Sequence, residues 1–110
     1  MARALDGCLS VYPVEEFQRV ASTLQEARLR GSKERGAARS YFSGAVEITP
    51  DKQGRVAIPA QLRAFAKLER EVTVAGNFDH FEIWDAPTFR ERDAEGQAAI
   101  ADGDGINDFL

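Results

Sequence analysis

A carboxylate, an ammonium, an amide and a guanidinium stand within five consecutive residues, Asp51-Lys52-Gln53-Gly54-Arg55. Lys52 offers a point charge for a phosphate, and Gln53 pairs a donor with an acceptor as a base edge requires. Arg55 carries a planar fork that fits a phosphate or the O6/N7 edge of guanine. Asp51 repels such ligands; its natural partners are the backbone N–H groups just downstream and Arg55 itself. Gly54 suits a turn position that requires positive φ. Two readings compete for this string. It is the tip of a nucleic-acid reader, or an ordinary hairpin turn closed by an Asp51–Arg55 surface ion pair. Arg35 and Arg39 form a weaker candidate: four apart on a predicted helix, they make a phosphate clamp or, more plainly, part of a solvated face.

The surrounding pattern supplies a frame for the turn. Val46 and Ile48 alternate with Glu47 and Thr49, which predicts a half-buried strand over residues 45–49, and a second strand is predicted over 55–58. Pro59 reads as the first residue of a short helix over 59–66, with Leu62, Phe65 and Ala66 as its apolar stripe. Strands are then predicted at 71–75 and 80–84, with Gly76-Asn77 between them, and a helix at 87–97. Upstream, Phe17, Val20, Ala21 and Leu24 fall at helical spacing over 14–28, with Glu15 and Glu16 favouring the helix start. Residues 29–36 read as a basic connector, after which Ser32 is placed to cap a helix through Tyr41 and Phe42. Trp84 reads as a core aromatic. From Ala98 the pattern fades into an acidic, flexible tail.

Bulk properties narrow the function classes. A chain of 110 residues with 44% hydrophobic content makes one compact domain or two small repeats sharing a core. No apolar run reaches the ~18 residues of a membrane span, and the N-terminus has no signal-peptide core. One cysteine, Cys8, makes no intrachain disulfide and fits a cytoplasmic location. The net charge of −4 hides a strong asymmetry: residues 28–70 carry +6 and residues 71–110 carry −8. A basic middle beside an acidic end can turn one face toward phosphates. Catalysis is disfavoured, because the only histidine, His80, sits in a predicted strand with no sign of a nucleophile beside it. One histidine and one cysteine argue against a zinc site, and the acidic tail lacks the ligand pattern of a calcium loop. No metal or cofactor is expected.

An internal repeat organises these elements. Shifted by 72 residues, Cys8 through Phe17 falls on His80 through Phe89. Leu9 then meets Phe81, Val11 meets Ile83, Tyr12 meets Trp84, and Phe17 meets Phe89. Each copy is an alternating strand ending in an aromatic, a break, and an amphipathic helix. By repeat logic, roughly 30 residues of a first copy would precede Met1, so the chain reads as a fragment, a shortened product or one with a late start.

Several strings together carry a family resemblance: Leu5-Asp6-Gly7-Cys8-Leu9-Ser10-Val11-Tyr12-Pro13, Tyr41-Phe42-Ser43-Gly44-Ala45, Asp51-Lys52-Gln53-Gly54-Arg55 through Ile58-Pro59, and Phe81-Glu82-Ile83-Trp84-Asp85. Over residues 5 to about 85 the chain resembles the MraZ family of bacterial transcriptional regulators, built from two AbrB-like (SpoVT-AbrB) swapped-hairpin repeats. The family carries a D-x-x-x-R element in each repeat; this sequence holds the second, at Asp51 and Arg55, and lacks the first. The resemblance implies an α+β fold: an AbrB-like swapped-hairpin small β-barrel with peripheral helices. It divides the chain into a first-repeat remnant (1–30), a basic connector and helix (31–43), a complete second repeat (44–97) and an acidic tail (98–110). It implies a non-enzyme that binds double-stranded DNA at a promoter of cell-division and cell-wall genes, in the cytoplasm at the nucleoid, as a ring-like homo-oligomer with no membrane contact. Lys52, Gln53 and Arg55 would meet DNA, Asp51 and Gly54 would support the turn, and Arg35 and Arg39 are weaker contacts. Two other readings stay open: an assembly-competent fragment with weak or no DNA binding, and an AbrB-like antitoxin that binds a protein partner.

Overall fold

The computed structural model describes residues 1–103 of the chain. Four strands form one antiparallel sheet: β1 (Ala2–Arg3), β2 (Leu9–Val11), β3 (Val72–Asn77) and β4 (His80–Asp85), in the order β1-β2-β4-β3. Four helices surround it: α1 (Val14–Ala27), α2 (Ser32–Gly44), α3 (Ala60–Phe65) and α4 (Ala86–Asp102). The fold is α+β, as expected, but the sheet is open and no closed barrel forms among the described residues.

The centre of the sheet follows from the repeat. Ser10 pairs with Glu82, Leu9 with Ile83 and Val11 with Phe81. Ser10 and Glu82 are repeat equivalents, and the two flanking pairs exchange under the same shift. Equivalent strands thus meet antiparallel about a local two-fold at Ser10–Glu82, the self-complementary pairing of an isologous contact. Each inner strand then runs into a helix, α1 or α4. Asp85 starts α4: its Oδ2 accepts from the Thr88 backbone N–H at 3.2 Å and the Thr88 hydroxyl at 2.7 Å. Trp84 is buried as expected, edge-on to Phe89 at 5.8 Å.

Leu9, Val11 and Ile83 share one sheet face because their positions alternate on paired strands. They form the core with Met1, Leu62 and Ala66, while Val46, Ile48, Ile58 and Leu68 pack at its edge. Leu62 and Leu9 are fully buried. Helix α3 contributes Leu62 to this core, and the segments on both sides of the 51–55 turn pack against the same cluster through Val46, Ile48 and Ile58.

Those segments correct the expected strands at 45–49 and 55–58. Neither belongs to a ladder; Val46 alone makes a reciprocal backbone pair with Met1, both bonds at 2.9 Å. Alternation prepares a residue run for a sheet, but a strand exists only beside a partner; among the described residues the first run has that pair, and the second has only the Asp51 N–H on the Arg55 carbonyl at the turn.

Four smaller corrections concern boundaries. Much of the expected connector at 29–36 is helical: Arg28–Arg30 forms a 3-10 turn, and α2 starts at Ser32 with Gly31, in extended backbone, at its cap. Ser32 is the first helical residue and not the cap. Pro59 caps α3 from just outside, its carbonyl accepting from the Leu62 and Arg63 N–H groups at 3.0 Å. Gly76 and Asn77 belong to β3, since Asn77 pairs with His80, so the turn falls on Phe78 and Asp79. Phe78 takes φ +63° with its ring wholly in solvent, where no neighbour obstructs it. Finally, α4 runs through residues 98–102 of the expected tail. The alanines of this stretch are strong helix formers, and Gly103 at φ +73° supplies the left-handed cap. The rest of that tail, residues 104–110, lies outside the described residues.

Candidate nucleic-acid interface

The 51–55 turn is built by one carboxylate. Asp51 Oδ1 accepts from the backbone N–H groups of Gln53 and Arg55, each at 2.9 Å, and Oδ2 accepts from Arg55 Nε at 3.1 Å. Two backbone bonds close the loop as well: Asp51 N–H to the Arg55 carbonyl at 2.8 Å, and Gly54 N–H to the Asp51 carbonyl at 2.9 Å. Gly54 sits at φ +80°, and a Cβ there would meet nothing within 4 Å, so the backbone angle and not crowding selects glycine. These bonds hold the Asp51 carboxyl below its usual pKa, the Arg55 N–H contributing most and the Gln53 N–H next.

The turn's geometry leaves its cationic groups facing water. The Arg55 side chain is 74% exposed although its Nε is engaged, and Lys52 and Gln53 are exposed. With Nε committed to Asp51, the two Nη groups remain as a fork aligned for bidentate contact. The sequence-derived set of Asp51, Lys52, Gln53, Gly54 and Arg55 thus comes together at one exposed turn. Arg35 and Arg39 do not join it through any contact; they lie exposed on α2, where they line a cleft with Gln25, Arg28, Ala38 and Phe42. Arg28 was missed as their partner, though its place at the head of the basic 28–39 stretch was a usable signal.

The other reactive groups have local roles. Cys8 is fully buried, and burial first, then the Glu82 carboxylate, pushes its thiol up to about 12, far from an activated nucleophile. His80 stacks on Tyr12 with ring centres 4.4 Å apart and pairs through Nδ1 with Asp79 at 2.8 Å. Trp84 Nε1 donates to Glu82 at 3.0 Å. Among the described residues no cluster of three metal-ligating side chains exists, and no helix is long and apolar enough to cross a membrane.

Comparison with known proteins adds independent findings. Residues 41–103 match the family described as "MraZ protein, putative antitoxin-like". The chain is 38% identical over 102 residues to the transcriptional regulator MraZ of Thermobifida fusca, covering 93% of this chain and 71% of that protein. It is 40% identical over 107 residues to the protein of the same name from Paenarthrobacter aurescens, covering 97% and 75%. A third relative, from Kocuria rhizophila, is 40% identical over 102 residues, covering 93% and 71%. The family match takes in the whole 51–55 turn.

Proposed function

This chain belongs to the MraZ family, and we propose that it is a DNA-binding transcriptional regulator acting at a promoter of cell-division and cell-wall genes. One observation carries the reading most directly: Asp51 pins both the turn and Arg55 Nε, while the Nη fork has no partner among the described residues and sits at an exposed tip. A guanidinium fixed at one edge loses little freedom on meeting a guanine or a phosphate. Arg55 reads a base edge or grips a phosphate, Lys52 neutralises a phosphate, and Gln53 reaches a neighbouring base edge. Asp51 and Gly54 hold the shape without touching DNA.

In this reading the protein is not an enzyme and works in the cytoplasm at the nucleoid. The segments 45–49 and 55–58, outside any ladder here, gain sheet partners in a ring-like homo-oligomer, closing the swapped-hairpin barrel of the second repeat (44–97) beside the first-repeat elements within residues 1–30. Linked subunits repeat weak tip contacts along tandem sites, raising avidity without new chemistry. A second reading, an assembly-competent chain with weak or no DNA binding, draws support from those same segments outside any ladder.

Fluorescence anisotropy on the promoter duplex separates the two. Arg55→Ala should weaken specific binding by about 1–3 kcal/mol if the fork contacts a base pair. Lys52→Ala should lower the slope of log affinity against log salt by about one. Unaltered affinity and slope in these variants at matched salt would remove the tip from the interface, and no binding by the parent chain would favour the assembly reading.

A further inference from the structure

The cleft between α1 and α2 has a composition that the hairpin reading does not use. It has a volume of about 320 Å³ and is lined by Arg28, Arg35 and Arg39, with Gln25, Ala38 and Phe42 completing it. Arg35 and Arg39 stand one helical turn apart on α2, and Arg28 approaches from the end of α1. Among the described residues, none of the three guanidiniums has a carboxylate within salt-bridge distance or a hydrogen-bond partner. The adjacent Glu34 does not line the cleft; its Oε2 lies 2.8 Å from where a Gly31 Cβ would sit. Converging like charges repel unless an anion joins them.

We infer that this cleft binds a nucleotide unit, its phosphate held by Arg28, Arg35 and Arg39 and its ring against Phe42. Three guanidinium forks exceed what one carboxylate needs; they match the three free oxygens of a phosphate monoester, and two of them suffice for the two free oxygens of a diester within a strand. Phe42 is half-buried and braced edge-on by Tyr41 at 5.8 Å, so it offers a fixed apolar wall. Gln25 brings an amide able to pair with a base edge. The volume suits a mononucleotide, either free or as one residue of a DNA strand. The cleft does not depend on the hairpin tip, since no residue is shared.

Calorimetric titration of the whole chain with AMP, adenosine and inorganic phosphate tests the site. AMP should bind, adenosine should not, and phosphate alone should bind at least 10-fold more weakly than AMP. An R35A/R39A variant, whose exposed positions favour alanine in a helix, should lose AMP affinity at least 10-fold with an unchanged circular dichroism spectrum; R35K/R39K should recover part of it. Salt-dependent binding to the promoter duplex then assigns the source. A slope reduced by about two in R35A/R39A marks the cleft as a seat for DNA phosphates. AMP binding lost with the DNA slope intact marks it as a site for a free nucleotide. Equal affinity of the parent and R35A/R39A chains for AMP, together with identical DNA slopes, overturns the proposal, while the Arg55→Ala result on the same duplex judges the hairpin separately.

Discussion

Asp51 shows how one side chain converts a short string into a shaped surface. It satisfies two backbone N–H groups and one edge of Arg55 at once, so the turn's order depends on its negative charge. The sign of the pH effect follows from its lowered pKa. A carboxylate bound more tightly when ionised contributes its full stabilisation above the usual aspartate value and loses it as pH falls through the lowered one. The amide resonances of Gln53 and Arg55 should therefore titrate with a midpoint below the usual aspartate value. A midpoint at or above the usual value, seen by NMR titration, would mean that the carboxylate is not holding the turn. The residue types made this network legible in the sequence, because Asp, Gly and Arg at this spacing have few other ways to satisfy one another.

Helix α3 shows the same economy at the level of an element. It is six residues long, too short to be stable alone, and owes its persistence to packing. Leu62 is the anchor: 1% exposed, it belongs to one core cluster with Leu9, Val11 and Ile83. Leu62→Ala should cost about 2–5 kcal/mol in a denaturant melt, the range for a large-to-small change in a closed core. A loss well under 1 kcal/mol would show that α3 is not clamped to the sheet. Because residues 55–58 lead directly into Pro59 and α3, the same variant should also loosen the base of the hairpin. The apolar stripe at Leu62, Phe65 and Ala66 foretold the helix but not its division of labour, since Phe65 stays 39% exposed while Leu62 and Ala66 are buried.

The molecule as a whole is more extended than its length requires. Its radius of gyration is 15.5 Å, against about 13 Å for a compact chain of this size. The 45–58 segment, which joins no ladder, and the edge of the sheet are in keeping with that difference. On β3, Val72 and Val74 are 44% and 61% exposed on the core face, and Phe81 beside them is 41% exposed. No strand flanks the outer side of β3 among the described residues. An apolar edge of this kind invites another chain. Val74→Lys should shift sedimentation toward smaller species at equal concentration, and an unchanged distribution would place any self-contact elsewhere.

Local chemistry was decided by the sequence itself. Helix positions, the β3–β4 pair, the turn network and the repeat shift of 72 all follow from neighbours within a few residues or from periodic patterning. The meeting of β2 with β4 about Ser10–Glu82, the convergence of Arg28 with Arg35 and Arg39, and the absence of ladders at 45–49 and 55–58 came only with the tertiary structure. Each of these depends on which distant segments become neighbours. Alternation can make a run ready for a sheet, but only an adjacent strand's hydrogen bonds make it one.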